Sequence, residues 1–194
     1  MESIEGVILA AGLSRRAGTC KMLLDIEGKT LIERCILGMY GVCSRIIVVV
    51  GHYYRDIAGV ISRYNKVTMV YNPDYLDGMF SSVRIGFKNV SGDRFFFIPG
   101  DYPYIKERIY REMLKKDGGI IIPVHKGRKG HPILVRTSIA KEMLSSIKYR
   151  TLREFIEDKG YTAVDVNDTG ILSDIDTMAD YNLTKKHYLP KELL

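Results

Sequence analysis

Three cations crowd a run of small residues near the start of the chain. The stretch AAGLSRRAGTCK, residues 10–21, sets Arg15, Arg16 and Lys21 around Gly12 and Gly18, directly after an apolar run. Glycines allow bends closed to other residues. Successive backbone N–H groups in such a bend make an anion nest, to which the cations add charge. The loop therefore reads as an anion site, with a solvated loop of incidental cations as the other reading. It is not a Walker loop, because Met22 and not Ser or Thr follows Lys21. It also lacks the three-glycine spacing of a dinucleotide fingerprint.

Carboxylates recur further along. In FFFIPGDYP, residues 95–103, an apolar run feeds a Pro-Gly turn that presents Asp101. A hard cation such as Mg2+ needs oxygen ligands, and one or two carboxylates plus phosphate suffice; a turn-forming or capping Asp is the alternative. SDIDTMADY, residues 173–181, carries Asp174 and Asp176 two apart, with Asp180 one helical turn beyond. There Asp176 and Thr177 also suit the cap of a final helix. PVHKGRKGHPILV, residues 123–135, packs Lys126, Arg128 and Lys129 with His125 and His131 around Gly127 and Gly130. Alone this reads equally as a basic hairpin tip, and no Cys or second close His completes a zinc site. In NPDYLDGMFSSVRIG, residues 72–86, Ser81 and Ser82 fall near a helix start, where free N–H groups and hydroxyls are available.

The elements that must carry these groups follow from apolar runs bounded by turn residues: 6–11, 45–51, 67–72, 94–100, 119–124, 132–136 and 162–166. Such runs predict strands buried on both faces. Helical periodicity lies between most of them, in LIERCILGMYG, MFSSVRIGFKNV, IKERIYREMLKK and MADYNLTKKHY. Thr30 caps the first of these helices, with Glu33 completing a capping box. Strand alternating with helix predicts a doubly wound, mostly parallel α/β sheet. The loops after its strands lie along one edge, where ligands bind in this class. The pair of strands around HKGRKGH departs from the alternation and reads as an inserted β-hairpin. With no linker, repeat or low-complexity segment, residues 1–194 are expected to form a single domain.

The 194 residues suffice for a sizeable core. No apolar run approaches the roughly 20 residues of a bilayer span, and MESIEG lacks a signal-like apolar region, so a cytoplasmic location is expected. A net charge of +6, scattered without an aromatic-basic stripe, points to phosphorylated small molecules and away from nucleic acid. Cys35 falls on an apolar helix face and reads as core; Cys20, beside Lys21, is open to exposure and a reactive role.

These motifs, in this order, resemble the MobA-like nucleotidyltransferases. LAAGLSRRAGTCKMLLDIEGKTLIER is similar to that family's signature loop, with Ala17 where Met is usual. The resemblance implies a Rossmann-like sheet of the nucleotide-diphospho-sugar transferase type. It implies that Leu9, Ala10, Ala11, Gly12, Ser14, Arg16 and Lys21 bind the nucleotide, and that Asn72, Gly78, Ser81 and Ser82 line the base pocket. Asp101 becomes a Mg2+ ligand and, with Arg16 and Lys21, a catalytic residue; Asp174 is the first and Asp176 the second choice for another ligand.

The Gly-His-Pro segment resembles the molybdenum cofactor cytidylyltransferase branch, where it borders the pterin acceptor. This implies that His131 contacts the acceptor and that Arg128 and Lys129 hold its phosphate. Ala11 stands where guanylyl-transferring relatives carry Gly, which favours CTP. The implied activity is transfer of CMP from CTP onto a molybdopterin-type cofactor, with pyrophosphate released. The product implies transient docking to a molybdoenzyme or its chaperone, and no membrane or nucleic-acid partner. Alternatives are a cytidylyltransferase for a sugar or polyol phosphate, guanylyl transfer from GTP, and a non-catalytic nucleotide- or cofactor-binding chaperone. The tail HYLPKELL reads as a partner-docking segment or a frayed end.

Overall fold

A computed structural model describes residues 2–188 of the chain. In chain order its strands are β1 (Ile4–Ala10), β2 (Asp25–Ile26), β3 (Lys29–Thr30), β4 (Arg45–Val50), β5 (Val67–Tyr71), β6 (Arg94–Pro99), β7 (Ile120–His125), β8 (Arg128–Lys129), β9 (Ile133–Arg136) and β10 (Thr162–Asp165). The helices are α1 (Leu31–Tyr40), α2 (Tyr54–Ile61), α3 (Met79–Lys88), α4 (Glu107–Leu114), α5 (Thr137–Ser145), α6 (Leu152–Lys159) and α7 (Met178–Tyr188). Most of the HYLPKELL tail lies outside the described residues.

The sheet runs β10-β7-β9-β6-β1-β4-β5. The pairs β1–β4, β1–β6, β4–β5 and β7–β10 are parallel, while β9 is antiparallel to both of its neighbours. All seven anticipated strands are present. The expected inserted hairpin is present and is built into the sheet, with β9 between β6 and β7. Its tip is a two-residue turn, Lys126–Gly127, both at positive φ (48° and 78°), which joins β7 to β8 through the pair His125↔Arg128. That is the backbone a tight antiparallel hairpin needs.

Side chains alternate between two cores, as the pleat demands. Ile8, Ile46, Val48, Phe96 and Ile98 meet α1, α2 and α4 on one face. Val7, Leu9, Ile47, Phe95 and Phe97 meet α3, α5 and α6 on the other. Burial on both faces holds for the central strands. It fails at the edges, where Met69 and Tyr71 of β5 are exposed and β10 buries only Val164, because an edge strand lacks a neighbour and part of its helical cover. Helices α2, α5 and α6 lie outside the four helical patterns of the sequence. Cys20 is buried within the first core, and burial raises its thiol pKa, so it is a core residue and not the exposed, reactive thiol expected.

The capping box at α1 is present. Glu33 N–H donates to Thr30 Oγ1 and Thr30 N–H to Glu33 Oε2 (3.4 and 2.9 Å). Glu33 is almost fully buried. Burial alone raises a carboxyl pKa. Hydrogen bonds from Thr30 N–H, Tyr64 OH (2.7 Å) and the Thr30 hydroxyl, with the charge of Arg63, outweigh it and leave the Glu33 pKa below its ordinary value.

Two outcomes follow. Phe95 is fully buried and edge-on to Phe87 at 4.6 Å, so Phe95→Ala is expected to cost about 3–5 kcal/mol in denaturant unfolding. A carboxyl with a lowered folded pKa stabilises the fold above its unfolded pKa and loses that contribution as pH falls through the folded value. Glu33→Gln should therefore flatten the loss of stability on acidification below about pH 4.5, measured by urea titration.

Candidate functional site

The anion loop leaves the C-terminal end of β1 and folds back on itself. The Ser14 carbonyl accepts from Ala17 and Gly18 N–H (2.9 and 3.1 Å), and its hydroxyl accepts from Lys21 N–H (3.2 Å). The left-handed positions are Ser14 (φ 49°) and Gly18 (φ 67°). Gly12 does not take that conformation, so the expected reason for this glycine is corrected. A Cβ there meets no protein atom within 4 Å, and its open side faces the cavity.

That cavity, of about 380 Å3, is lined by Leu9 through Arg15, Lys21, Tyr75, Leu76, Gly78, Met79, Ser82 and Asp101. The anticipated Leu9, Ala10, Ala11, Gly12, Ser14, Lys21, Gly78 and Ser82 thus share one wall. Asn72 and Ser81 do not line it. Arg16 lies on the outer side of the loop, in a shallower recess with Asp176, where the pair stands 2.9 Å apart with Arg16 mostly exposed. Arg15, to which the family resemblance gives no role, lines both recesses and has no carboxylate partner among the described residues. Sequence treats the two adjacent arginines alike; only the turn at Ser14 separates their directions.

Lys21 is the centre of the charge network. Its Nζ donates to Asp101 Oδ2 (2.7 Å), Asp176 Oδ1 (3.1 Å) and the Ile175 carbonyl (3.3 Å). Burial disfavours the ammonium, but the charges and hydrogen bonds of Asp101 and Asp176 outweigh it and hold the Lys21 pKa above its ordinary value. The segment carrying Asp174 and Asp176 is fixed at both ends. Ile175 N–H donates to the Asp101 carbonyl (2.9 Å). Asp180 Oδ2 accepts from Thr177 N–H and Oγ1 (both 2.8 Å), so Thr177 and Asp180, not Asp176, cap α7.

The donor set suits a hard cation. Asp101 Oδ1 is buried without a hydrogen-bond partner. Asp174 pairs with no cation among the described residues, and partial desolvation, then the charges of Asp101 and Asp176, raise its pKa. Among the described residues no three of His, Cys, Asp and Glu are grouped to hold a metal ion by themselves, so phosphate oxygens are needed to complete the shell.

A second cavity of about 740 Å3 adjoins the first, sharing Gly78, Met79 and Pro99. Its walls include Phe80, Val83, Phe97, Ile122, Ile133 and Ile156, with Lys129, His131 and Arg150 among the polar lining. His131 packs edge-on to Tyr102 (centroids 4.7 Å apart), and its Nδ1 is buried without a partner. Burial pulls the His131 pKa down to about 4, so its ring is neutral near pH 7. Burial first, and then Asp174 and Asp101, push the neighbouring Tyr102 up to about 12. Arg128 is exposed on β8 and lines neither cavity, which places it apart from the acceptor role expected of it.

Lys21→Met removes the cation that the facing carboxylates share. It is expected to raise Mn2+ affinity of the nucleotide-free protein several-fold, read from the EPR signal of free Mn2+. An unchanged affinity would show that Lys21 does not occupy the cation's place.

The chain matches the MobA-like NTP transferase domain over residues 6–164. It is 32% identical over 190 residues to the molybdenum cofactor cytidylyltransferase of Escherichia coli (strain K12), spanning 97% of this chain and 98% of the relative. Among solved structures, a nucleotidyl transferase from Methanothermobacter thermautotroptrophicus superposes with a TM-score of 0.83 at 21% identity, covering 96% of this chain and 98% of that one. The manganese complex of Rv0371C from Mycobacterium tuberculosis H37Rv superposes at 0.77 and 18% identity, covering 95% and 98%. At these identities the superpositions speak for the fold. No helix among the described residues is long and apolar enough to cross a membrane.

Proposed function

The chain belongs to the MobA-like NTP transferase family, and on that premise we propose that it transfers CMP from CTP onto the phosphate of a molybdopterin-type cofactor. Pyrophosphate is released. The observation that carries the reading is the pair of adjoining cavities. One is a cationic loop pocket with Asp101 at its edge; the other is larger, mostly apolar, and shares Gly78, Met79 and Pro99 with it. A nucleotide in the first and a flat heterocycle in the second meet at that shared wall.

An acceptor phosphate oxygen attacks the α-phosphorus, the bond to the β-phosphate oxygen breaks, and the leaving pyrophosphate carries the charge away. The acceptor phosphate is already ionised near neutral pH, so no general base is required. Positioning and charge neutralisation then supply the catalysis. The open backbone of Gly12 and the Ser14 hydroxyl sit where the triphosphate turns. Lys21 and Arg16 release Asp101 and Asp176 to neutralise its phosphates, with the unpaired Arg15 adding charge at the same wall. Asp101 with Asp174 would hold a divalent cation, Mg2+ in this reading, which would supply further neutralisation of phosphate charge. Asp174 is preferred because Asp176 already engages both Arg16 and Lys21. The neutral His131 ring and Lys129 border the acceptor. The methyl group of Ala11, in the nucleotide wall, supports a pyrimidine over a purine. Transient docking to the molybdoenzyme or chaperone that takes the product, and a cytoplasmic setting, belong to the same reading.

Pyrophosphate release from CTP is expected with the molybdopterin cofactor and not with methylerythritol phosphate or sugar phosphates; release confined to the sugars overturns the acceptor. Asp101→Ala should lower the rate by roughly two or more orders of magnitude. A wild-type protein that binds the acceptor without turnover would instead be a chaperone.

A further inference from the structure

The two edges of the sheet are finished differently. Strand β10 is four residues long and carries the exposed Asp165; shortness and charge discourage an edge strand from pairing with another chain. Strand β5 has neither safeguard at its outer side. Its five residues, VTMVY, hold no charge and no proline, and no bulge breaks its register with β4. Met69 and Tyr71 are exposed on it, and the Tyr71 ring meets the exposed Tyr54 of α2 edge-on, with centroids 5.3 Å apart.

The bonds to β4 decide which backbone groups of β5 face outward. Ile46 N–H donates to the Lys66 carbonyl (2.8 Å), and Asn72 N–H donates to the Val50 carbonyl (2.9 Å). In a parallel ladder alternate residues of a strand bond the same neighbour. Lys66, Thr68, Val70 and Asn72 therefore face β4, while Val67, Met69 and Tyr71 face away. The Tyr64 carbonyl already accepts from Val67 N–H (2.9 Å). The N–H groups of Met69 and Tyr71, and the carbonyls of Val67, Met69 and Tyr71, have no protein partner among the described residues.

That set is self-complementary. In an antiparallel pair centred on Met69, the two copies of Met69 exchange both N–H···O=C bonds. Each Tyr71 N–H then meets the partner's Val67 carbonyl, so every free amide finds an acceptor. Val67, Met69 and Tyr71 share one face of the strand, which covers Met69 with its own copy and Tyr71 with the partner's Val67. The ends of the strand match as well. Lys66 and the mostly exposed Arg63 precede β5, and the exposed Asp74 follows it. Antiparallel pairing brings the basic start of one strand to the acidic exit of the other.

We propose that two copies of this chain associate through β5, paired antiparallel about a twofold axis at Met69, so that their sheets become continuous. Such a contact uses the same patch on both copies and closes on itself. It is independent of the nucleotide and acceptor assigned above, because no residue of β5 lines either substrate cavity.

Analytical ultracentrifugation of the full chain over a concentration series tests the pairing. The wild-type protein is expected to show a reversible monomer–dimer equilibrium. Met69→Arg sets two like charges opposite each other and should raise the dimer dissociation constant roughly tenfold or more. Ala163→Arg, on the exposed side of β10, should leave that constant unchanged. Met69→Cys should give a covalent dimer with a short bismaleimide linker, whereas the wild-type protein, whose three cysteines are buried, should not. If Met69→Arg fails to fold, by circular dichroism, the Met69→Cys linkage decides. A chain that stays monomeric at every concentration overturns the inference and leaves the β5 edge to a different protein. A dimer that survives Met69→Arg, or that Ala163→Arg dissolves, overturns it equally, since the contact then lies elsewhere.

Discussion

The Lys21 ammonium, 2.7 Å from Asp101 and 3.1 Å from Asp176, joins segments 80 and 155 residues away in sequence. The loop after β1, the end of β6 and the segment entering α7 meet at this one cation. The side chains of Lys21 and Asp101 are only 15% and 16% exposed, so solvent screens their attraction little. Two carboxylates facing one another need a cation between them. Here that cation is Lys21, with Arg16 adding a second on the far side of Asp176. The same carboxylates and cations are those a nucleotide triphosphate and its counterion would redistribute.

What brings those segments together is the sheet. Strands β1 and β6 are adjacent and parallel, so their C-terminal ends deliver the anion loop and Asp101 side by side. The alternation that buries Ile8 and Phe96 on one face and Leu9 and Phe97 on the other leaves Pro99 and Gly100 at the rim. A Cβ on Gly100 would lie 2.9 Å from the Leu9 carbonyl, and this absence of a side chain lets the strand ends close up. The antiparallel β9 adds the second cavity. Wedged beside β6, it carries His131 against Tyr102, whose own neighbour is Asp101, so the two cavities share a wall through contiguous packing.

Residues that touch ligand space are few, and each is held by others that do not. Thr30 and Glu33 fix the start of α1 after the β2–β3 ribbon. Thr177 and Asp180 fix the start of α7 next to the carboxylates. Asn72 and Ser81 fix the Gly78 turn and the start of α3. In each case a polar side chain satisfies backbone groups that a helix end or turn leaves open, and the neighbouring functional group inherits a defined direction.

Much of this was written in local pattern. Seven apolar runs bounded by turn residues specify the strands, most plainly the central ones, whose burial on both faces leaves little room for polar residues. The Thr30–Glu33 capping box is a local exchange of hydrogen bonds, and the motif order from the anion loop to Asp101 to SDIDTMADY marks the residues at the site. Local pattern could not say that β9 inserts antiparallel between β6 and β7, since strand order depends on which faces pack. Nor could it tell Arg15 from Arg16, Ser82 from Ser81, or the buried Cys20 from an exposed one. Each of those pairs or positions is chemically equivalent in sequence, and only the path of the folded chain decides which side chain meets the cavity, which meets a carboxylate and which meets the core.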